Sequence, residues 1–360
     1  LAAGGDHPDI TEFSGTFTAS AGALVEKMGS GTLTLSGDNS DTPFITRITA
    51  GTLAVAADTD LGSEVVQLNG GTLSLTEDGT YDNDIVITRN PGIISVASGK
   101  EAILTGTLDD VSDSGADLVK EGAGTLILAN TANEAGLTGD IYVNDGEVQI
   151  ESDDALPGGT IYLADGKELD VTGDTEINNA FTLNGDASIN TADGKTVTLS
   201  GGVAGVTGND LIKKGTGTLV VGGASSFSGS ATVNGGLMLV NGTMANAAGV
   251  TVADGGTLGG SGSIGGGGAT VTIDQGGILS AGNSPGTLTV NGNLVLNGTM
   301  KLELTGATAG TQYDQVVVTG NLTLGANSAF NVIYSVGAPN NTFRVIDVQG
   351  GSAITGTLGG

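Results

Sequence analysis

The sequence predicts an all-β protein: a right-handed parallel β-helix, or β-solenoid, built as a single elongated rod. Three observations lead there. A unit of about 93 residues recurs along the chain. Inside the unit, leucine alternates with threonine at period two, as in Thr32-Leu33-Thr34-Leu35. Glycine supplies 65 of the 360 residues while aromatics make up only 3%, so the chain is rich in turns and poor in large core side chains.

Three segments show the repeat: Leu24-Val-Glu-Lys-Met-Gly-Ser-Gly-Thr-Leu-Thr-Leu-Ser-Gly37, Leu118-Val-Lys-Glu-Gly-Ala-Gly-Thr-Leu-Ile-Leu-Ala-Asn130 and Leu211-Ile-Lys-Lys-Gly-Thr-Gly-Thr-Leu-Val-Val-Gly-Gly223. Gly51-Thr-Leu-Ala-Val55, Gly146-Glu-Val-Gln-Ile150 and Gly236-Leu-Met-Leu-Val240 follow in the next equivalent place. Each unit holds several shorter turns of roughly 20–25 residues. Period-two spacing puts Leu33 and Leu35, Leu126 and Leu128, and Leu219 and Val221 on one face of their strands. Asn-Gly, Asp-Gly and Gly-Gly pairs punctuate the strands, because these residues enter positive φ at low cost. Prolines fall beside turn residues, as in Asn90-Pro91-Gly92 and Ser284-Pro285-Gly286, and no helical face of any length is present. A string of sandwiches would need large residues in domain-sized cores. A β-helix fills a narrow core with Leu, Val, Ile and Ala, and grows by adding turns.

Charge and composition exclude several functions. The formal net charge is −28, and no basic patch exists to displace counterions from a phosphate backbone, so a nucleic-acid partner is not expected. With no cysteine there is neither a disulfide framework nor a thiolate metal site. No run of 18 apolar residues would span a bilayer as a helix. The first residues do not form a signal peptide. Residues 1–200 carry 33 acidic and 7 basic side chains, against 6 and 4 in residues 201–360. Acidic side chains keep a long β surface soluble, and a cationic or calcium-bridged partner is the alternative reading. Gly265-Gly-Gly-Gly268 is no phosphate loop, lacking the Lys-Ser/Thr and helix that one requires. It reads as a flexible turn before the terminal region.

The recurring Lys/Glu-x-Gly-x-Gly-Thr-Leu-x-Leu pattern resembles the passenger-associated repeat of bacterial autotransporters. Thr232-Val-Asn-Gly-Gly-Leu-Met-Leu-Val240 resembles the turn that follows it in that family. Gly277-Ile-Leu-Ser-Ala-Gly-Asn-Ser-Pro-Gly-Thr-Leu-Thr-Val-Asn-Gly-Asn293 is similar to the Pro-Gly-Asn-Ser-Pro-Gly-Thr-Leu segment near the end of such passengers, with Ala281 where proline is usual. Tyr313-Asp-Gln-Val-Val-Val-Thr-Gly320 and Phe343-Arg-Val-Ile-Asp-Val348 are in register with the same end region. The resemblance covers essentially the whole chain and is strongest from 211 to 350. It implies a β-helical passenger secreted across the outer membrane. Its last turns would template folding, with Asn283, Ser284, Pro285, Gly286, Leu288, Val290, Leu294 and Leu296 as the cap. The family's β-barrel translocator is not expected within these residues.

Candidate chemistry is sparse. The only histidine, His7, sits in Asp6-His7-Pro8-Asp9, and no serine elbow accompanies it. Asp109, Asp110, Asp113 and Asp117 place four carboxylates in nine residues. Solvated acidic turns are the favoured reading, a calcium site the alternative, and catalytic carboxylates of the lyase or glycosidase kind the third. No cofactor is otherwise implied. The expected organisation is a repetitive β-helix over 1–260 and a terminal cap or autochaperone region over 261–360. The expected function is that of a non-enzymatic adhesin or stalk. Its partners would be a host-cell or matrix surface, the same protein on neighbouring cells, and its own β-barrel. A β-helical carbohydrate-active enzyme and a self-associating aggregation factor are the alternatives. In the type II turn expected at Asn283–Gly286, Pro285 presets φ and Gly286 takes positive φ before a strand at Thr287–Val290.

Overall fold

The computed structural model describes residues 2–3, 11–89, 91–111, 115–283, 285–334 and 342–359. It is a parallel β-helix, as the repeats predict. Among the described residues, helix is confined to one four-residue α-turn, Asn133–Gly136, and two 3-10 turns, Asp58–Asp60 and Asp153–Ala155. No described helix is long and apolar enough to cross a membrane. The chain divides into two compact units, residues 1–172 and 173–360.

In the first unit, successive strands step around three faces. The first face stacks Ala23–Lys27, Phe44–Ile48, Val66–Asn69, Ile85–Arg89 and Leu108–Asp110. The second stacks Thr32–Leu35, Thr52–Val55, Thr72–Leu75, Gly92–Val96, Leu118–Glu121, Ile141–Val143 and Ile161–Leu163. The third carries Gly79–Tyr81, Glu101–Leu104, Thr125–Leu128, Glu147–Ile150 and Glu168–Val171. Inward positions stack like on like. Leu33, Leu53, Leu73 and Ile94 are successive ladder partners, and all are buried. Outward, Thr32, Thr52 and Thr72 stack in the same way. The alternation read from Thr-Leu-Thr-Leu is therefore the in–out alternation of a half-buried strand.

The long repeat is not a whole number of turns. Its first instance begins on the first face at Ala23–Lys27 and continues on the second at Thr32–Leu35. The next instance begins on the second face at Leu118–Glu121 and continues on the third at Thr125–Leu128. Ninety-three residues thus make four turns and one further face. Structural register also aligns Val25, rather than Leu24, with Leu118 and Leu211. Val25 is buried, as are both of those leucines.

In the second unit, one face stacks Thr175–Ile177, Thr196–Leu199, Thr218–Val221, Gly236–Val240, Gly256–Gly260, Ile278–Ala281, Thr299–Leu304 and Ala329–Tyr334. A neighbouring face carries Leu211–Lys214, Ser230–Val233, Gly249–Val252, Ser263–Ile273 and Thr287–Leu296. Gly265–Gly268 is not a loop between regions. It is a bulge inside Ser263–Ile273, where register with Thr287–Leu296 shifts between Ile264 and Ala269, and Gly265 and Gly267 take φ of 81° and 78°.

The terminal cap residues occupy one long strand and the turn before it. Leu288, Val290, Leu294 and Leu296 all lie in Thr287–Leu296 and are fully buried. Leu288 and Val290 pair with Val316 and Val318, and Leu294 and Leu296 with Leu322 and Leu324. The expected turn geometry is corrected: positive φ falls on Gly282, at 78°, and not on Gly286. Gly286 is needed for closeness instead, since a Cβ there would meet the Gly282 Cα at 2.3 Å. Asn283 is exposed and Pro285 half-buried, while Ser284 lies outside the described residues.

At turn corners, carboxylates and amides reach the next turn. The Asp78 carboxylate accepts the Glu101 N–H at 2.8 Å, Asp117 accepts Asp140 at 3.0 Å, and Asp140 accepts Thr160 at 2.7 Å. In the second unit Asp174, Asp186 and Asp210 do the same for Thr196, Asp210 and Ser230. Asn241, Asn293 and Asn321 take over for Ser261, Asn321 and Ala353. Part of the acidity of the first 200 residues thus caps backbone. The cap needs an oxygen acceptor and not a charge. Asp140→Asn should therefore leave stability nearly unchanged, while Asp140→Ala should lose about 1–3 kcal/mol in urea unfolding.

Candidate functional site

The sequence-proximal carboxylates do not form one site. Asp109 is exposed, Asp110 is buried, and Asp113 lies outside the described residues. Asp110 is spent on its own chain, accepting the Gly115 N–H at 3.0 Å, the Ala116 N–H at 3.2 Å and the Thr138 hydroxyl at 2.9 Å. Asp117 caps Asp140 as described. Among the described residues, no group of three or more His, Cys, Asp or Glu is placed to hold a metal ion.

Three lysines form a recurrent site that the sequence reading did not single out. Lys27, Lys120 and Lys213 stand at the same place in the three repeats, and all are buried at 2%, 0% and 0% exposure. Each occupies a core slot. Lys120 lies in the buried column between Ile94 and Val143, and Lys213 between Ile189 and Val233. Each ammonium donates to three backbone carbonyls. Lys120 Nζ meets the carbonyls of Glu121, Gly122 and Asp145 at 2.9, 2.6 and 3.1 Å. Lys27 meets Met28, Gly29 and Ala50 at 2.9, 2.7 and 3.0 Å. Lys213 meets Lys214, Gly215 and Gly235 at 2.5, 2.9 and 3.4 Å. Two carbonyls come from the corner that follows the lysine, and the third from the corner one turn on.

Glycine makes the cages possible. Gly29, Gly122 and Gly215 turn the corner at φ of 76°, 73° and 70°. One turn on, Gly51 and Gly146 close over the ammonium, and a Cβ on either would meet the lysine Nζ at 2.8 Å. Burial lowers all three ammonium pKa values, and pushes Lys120 and Lys213 down to about 8. A signal was available in sequence. In Leu118-x-Lys120 the lysine shares the inward parity of a buried leucine, just ahead of Gly-x-Gly.

A second feature breaks the chain's own pattern. The outward pair after the second corner is Thr52 and Ala54 in the first repeat and Glu147 and Gln149 in the second, but Leu237 and Leu239 in the third. These leucines line a groove of about 480 Å³ with Thr257, Ile278, Ser280 and the buried Asp314, and Asn283, Lys301 and Glu303 also border it. Gly259 keeps it open, since a Cβ there would meet Leu239 Cδ2 at 3.0 Å. Asp314 is buried, accepts the Gly286 N–H at 3.0 Å and the Glu303 N–H at 2.8 Å, and is pushed up in pKa by burial.

Comparison with known proteins bears directly on the cages. Residues 25–55, 118–150 and 211–240 each match the passenger-associated-transport repeat, and each match contains one caged lysine. The chain is an autotransporter passenger segment. It is 34% identical over 175 residues to the adhesin BmaC autotransporter of Brucella suis biovar 1 (strain 1330), covering 44% of this chain and 5% of that protein. It is 28% identical over 294 residues to the probable autotransporter YfaL of Escherichia coli (strain K12), covering 72% of this chain and 20% of that protein. The passenger segment thus spans a fifth or less of the curated relatives it matches. Its place is the cell surface, reached by secretion across the outer membrane.

Lys120→Met would leave three partly buried carbonyls without their donor, and should cost about 2–4 kcal/mol in urea unfolding. The cage also has a pH signature. With the folded pKa near 8 and the ordinary lysine value at 10.5, unfolding takes up a proton between those values. The Lys120 contribution to stability should therefore rise with pH across that window. Wild type should gain stability relative to Lys120→Met between pH 8 and pH 10, and parallel pH profiles would refute the linkage.

Proposed function

We propose that this passenger segment is adhesive: a surface-displayed β-helix whose third repeat presents a contact site for a host-cell or matrix protein. The observation that carries this reading is the Leu237/Leu239 pair. The fold does not require outward leucines there, because Thr52 and Ala54, or Glu147 and Gln149, serve the same strand positions in the other repeats. Apolar side chains kept in a rimmed surface groove are the signature of a binding site. That one relative is named an adhesin supports the reading.

The test uses the chain's own alternatives. Beads coated with the chain should bind cultured cells or matrix-coated surfaces. The Leu237→Thr, Leu239→Ala double variant carries the first repeat's residues, so it should fold normally and bind several-fold less. Equal binding by the two would overturn the assignment of the groove. Bead clumping without surface binding would favour self-association instead.

Residues 261–360 are proposed to template folding during secretion. Leu288, Val290, Leu294 and Leu296 form the fully buried face of a strand clamped on both sides, and Asp314, just ahead of the strand Gln315–Val318, holds the Gly286 N–H of the turn before it. Leu294→Ala should cost about 2–4 kcal/mol locally and should reduce surface display more than Leu33→Ala. Unaltered display of the Leu294→Ala passenger would count against the templating role.

A further inference from the structure

Tyr142 and Tyr162 are ladder partners in adjacent turns of the first unit. Both point outward and are half-buried, each set between fully buried neighbours: Ile141 and Val143, and Ile161 and Leu163. Their rings lie 4.5 Å apart between centroids with planes inclined by 5°. Each ring covers a face of the other, so the pair offers its edges and hydroxyls, not an open platform for a sugar. Asp117 and Asp140 flank it. Burial and these two carboxylates, Asp117 before Asp140, hold the Tyr142 phenol protonated to higher pH than usual. Of the other tyrosines, Tyr81 and Tyr313 are buried.

We propose that Tyr142 and Tyr162 are a site of oxidative cross-linking, at which a peroxidase supplied with hydrogen peroxide joins the two rings as dityrosine. Each phenol gives one electron to the oxidised peroxidase and one proton to carboxylate or water, leaving two phenoxyl radicals. Their spin density is shared with the carbons ortho to oxygen, and one such carbon from each ring forms the new C–C bond. Each ring then regains aromaticity by moving the hydrogen from that carbon to its own oxygen. The pair loses two electrons and two protons in total, and one peroxide accepts them to become two waters. The ladder supplies what coupling needs, since the second radical is already in van der Waals contact with the first. The product would bolt one turn to the next in a chain that has no cysteine for a disulfide, and would restrict the unfolded chain as a short covalent loop does.

The experiment treats dilute purified chain with a peroxidase and hydrogen peroxide. Monomeric chain should gain dityrosine fluorescence and lose the mass of two hydrogens. Proteolysis should release one linked peptide pair carrying residues 142 and 162, and the thermal midpoint should rise. Tyr142→Phe and Tyr162→Phe retain the ring stack, so their circular dichroism should match wild type, yet each should abolish the signal and the midpoint gain. Tyr313→Phe should keep both. Dityrosine that survives Tyr142→Phe or resides only in dimers would overturn the proposal. So would oxidation confined to methionine, of which Met28 is exposed.

Discussion

A turn of parallel β-helix cannot satisfy its own backbone. Every strand N–H and C=O must be met by the turn before or after, and where the chain bends between faces that ladder is interrupted. An unpaired buried peptide group costs about 1–3 kcal/mol, so each corner requires a substitute partner. Donors left over at corners are met by side-chain oxygens reaching from the neighbouring turn, from Asp78, Asp117, Asp140, Asp174, Asp186 and Asp210 early in the chain and from Asn241, Asn293 and Asn321 later. Aspartate and asparagine present the same oxygen on the same stem. The change from one to the other accounts for part of the charge asymmetry without any change in architecture.

The lysine cages solve the opposite problem. Where the Gly-x-Gly corner turns inward, carbonyls from two successive turns converge and no N–H remains to meet them. An ammonium brings three donors and no acceptor, which matches three convergent carbonyls. The desolvation cost of burying it is visible in the lowered pKa of Lys120 and Lys213, and the carbonyls offset that cost. The small residues around the cage follow from the same geometry. Gly122 turns the corner with positive φ, and Gly146 one turn on leaves room for the Lys120 Nζ.

What the sequence made legible is whatever depends on neighbours along one strand. Alternation in Thr32–Leu35 marks the inward face, and the aliphatic cap residues Leu288 to Leu296 are buried as their period implies. What it concealed depends on the turn above or below. The carboxylates at Asp109, Asp110 and Asp117 are close in sequence, but Asp110 is buried on the Gly115 and Ala116 N–H groups and the Thr138 hydroxyl while Asp117 caps the Asp140 N–H. Ser-Pro-Gly has the composition of a local type II turn, yet the Gly286 N–H is taken by Asp314 and the positive φ moves to Gly282. The cages of Lys27, Lys120 and Lys213 could not be read along one strand, because their carbonyl partners include one from more than 20 residues away.

Because the repeat advances four turns and one face, equivalent residues do not stack on one another. In the first unit, Thr52 and the buried Ala54 lie on the side of the second face away from Leu53 and Val55, whereas their counterparts Glu147 and Gln149 face outward from the third. The caged lysines move likewise, from the end of a first-face strand to the end of a second-face strand. No single face then collects every cage, and each interrupted column keeps aliphatic neighbours on the turns around it, as Ile94 and Val143 flank Lys120. The same offset frees the outward positions. A substitution in one repeat is not copied into a stripe by its relatives, so the Leu237/Leu239 pair can create a local apolar groove while equivalent positions remain polar or small. Inward residues are bound by the ladder to match their neighbours, and outward residues are released by the phase of the repeat to differ.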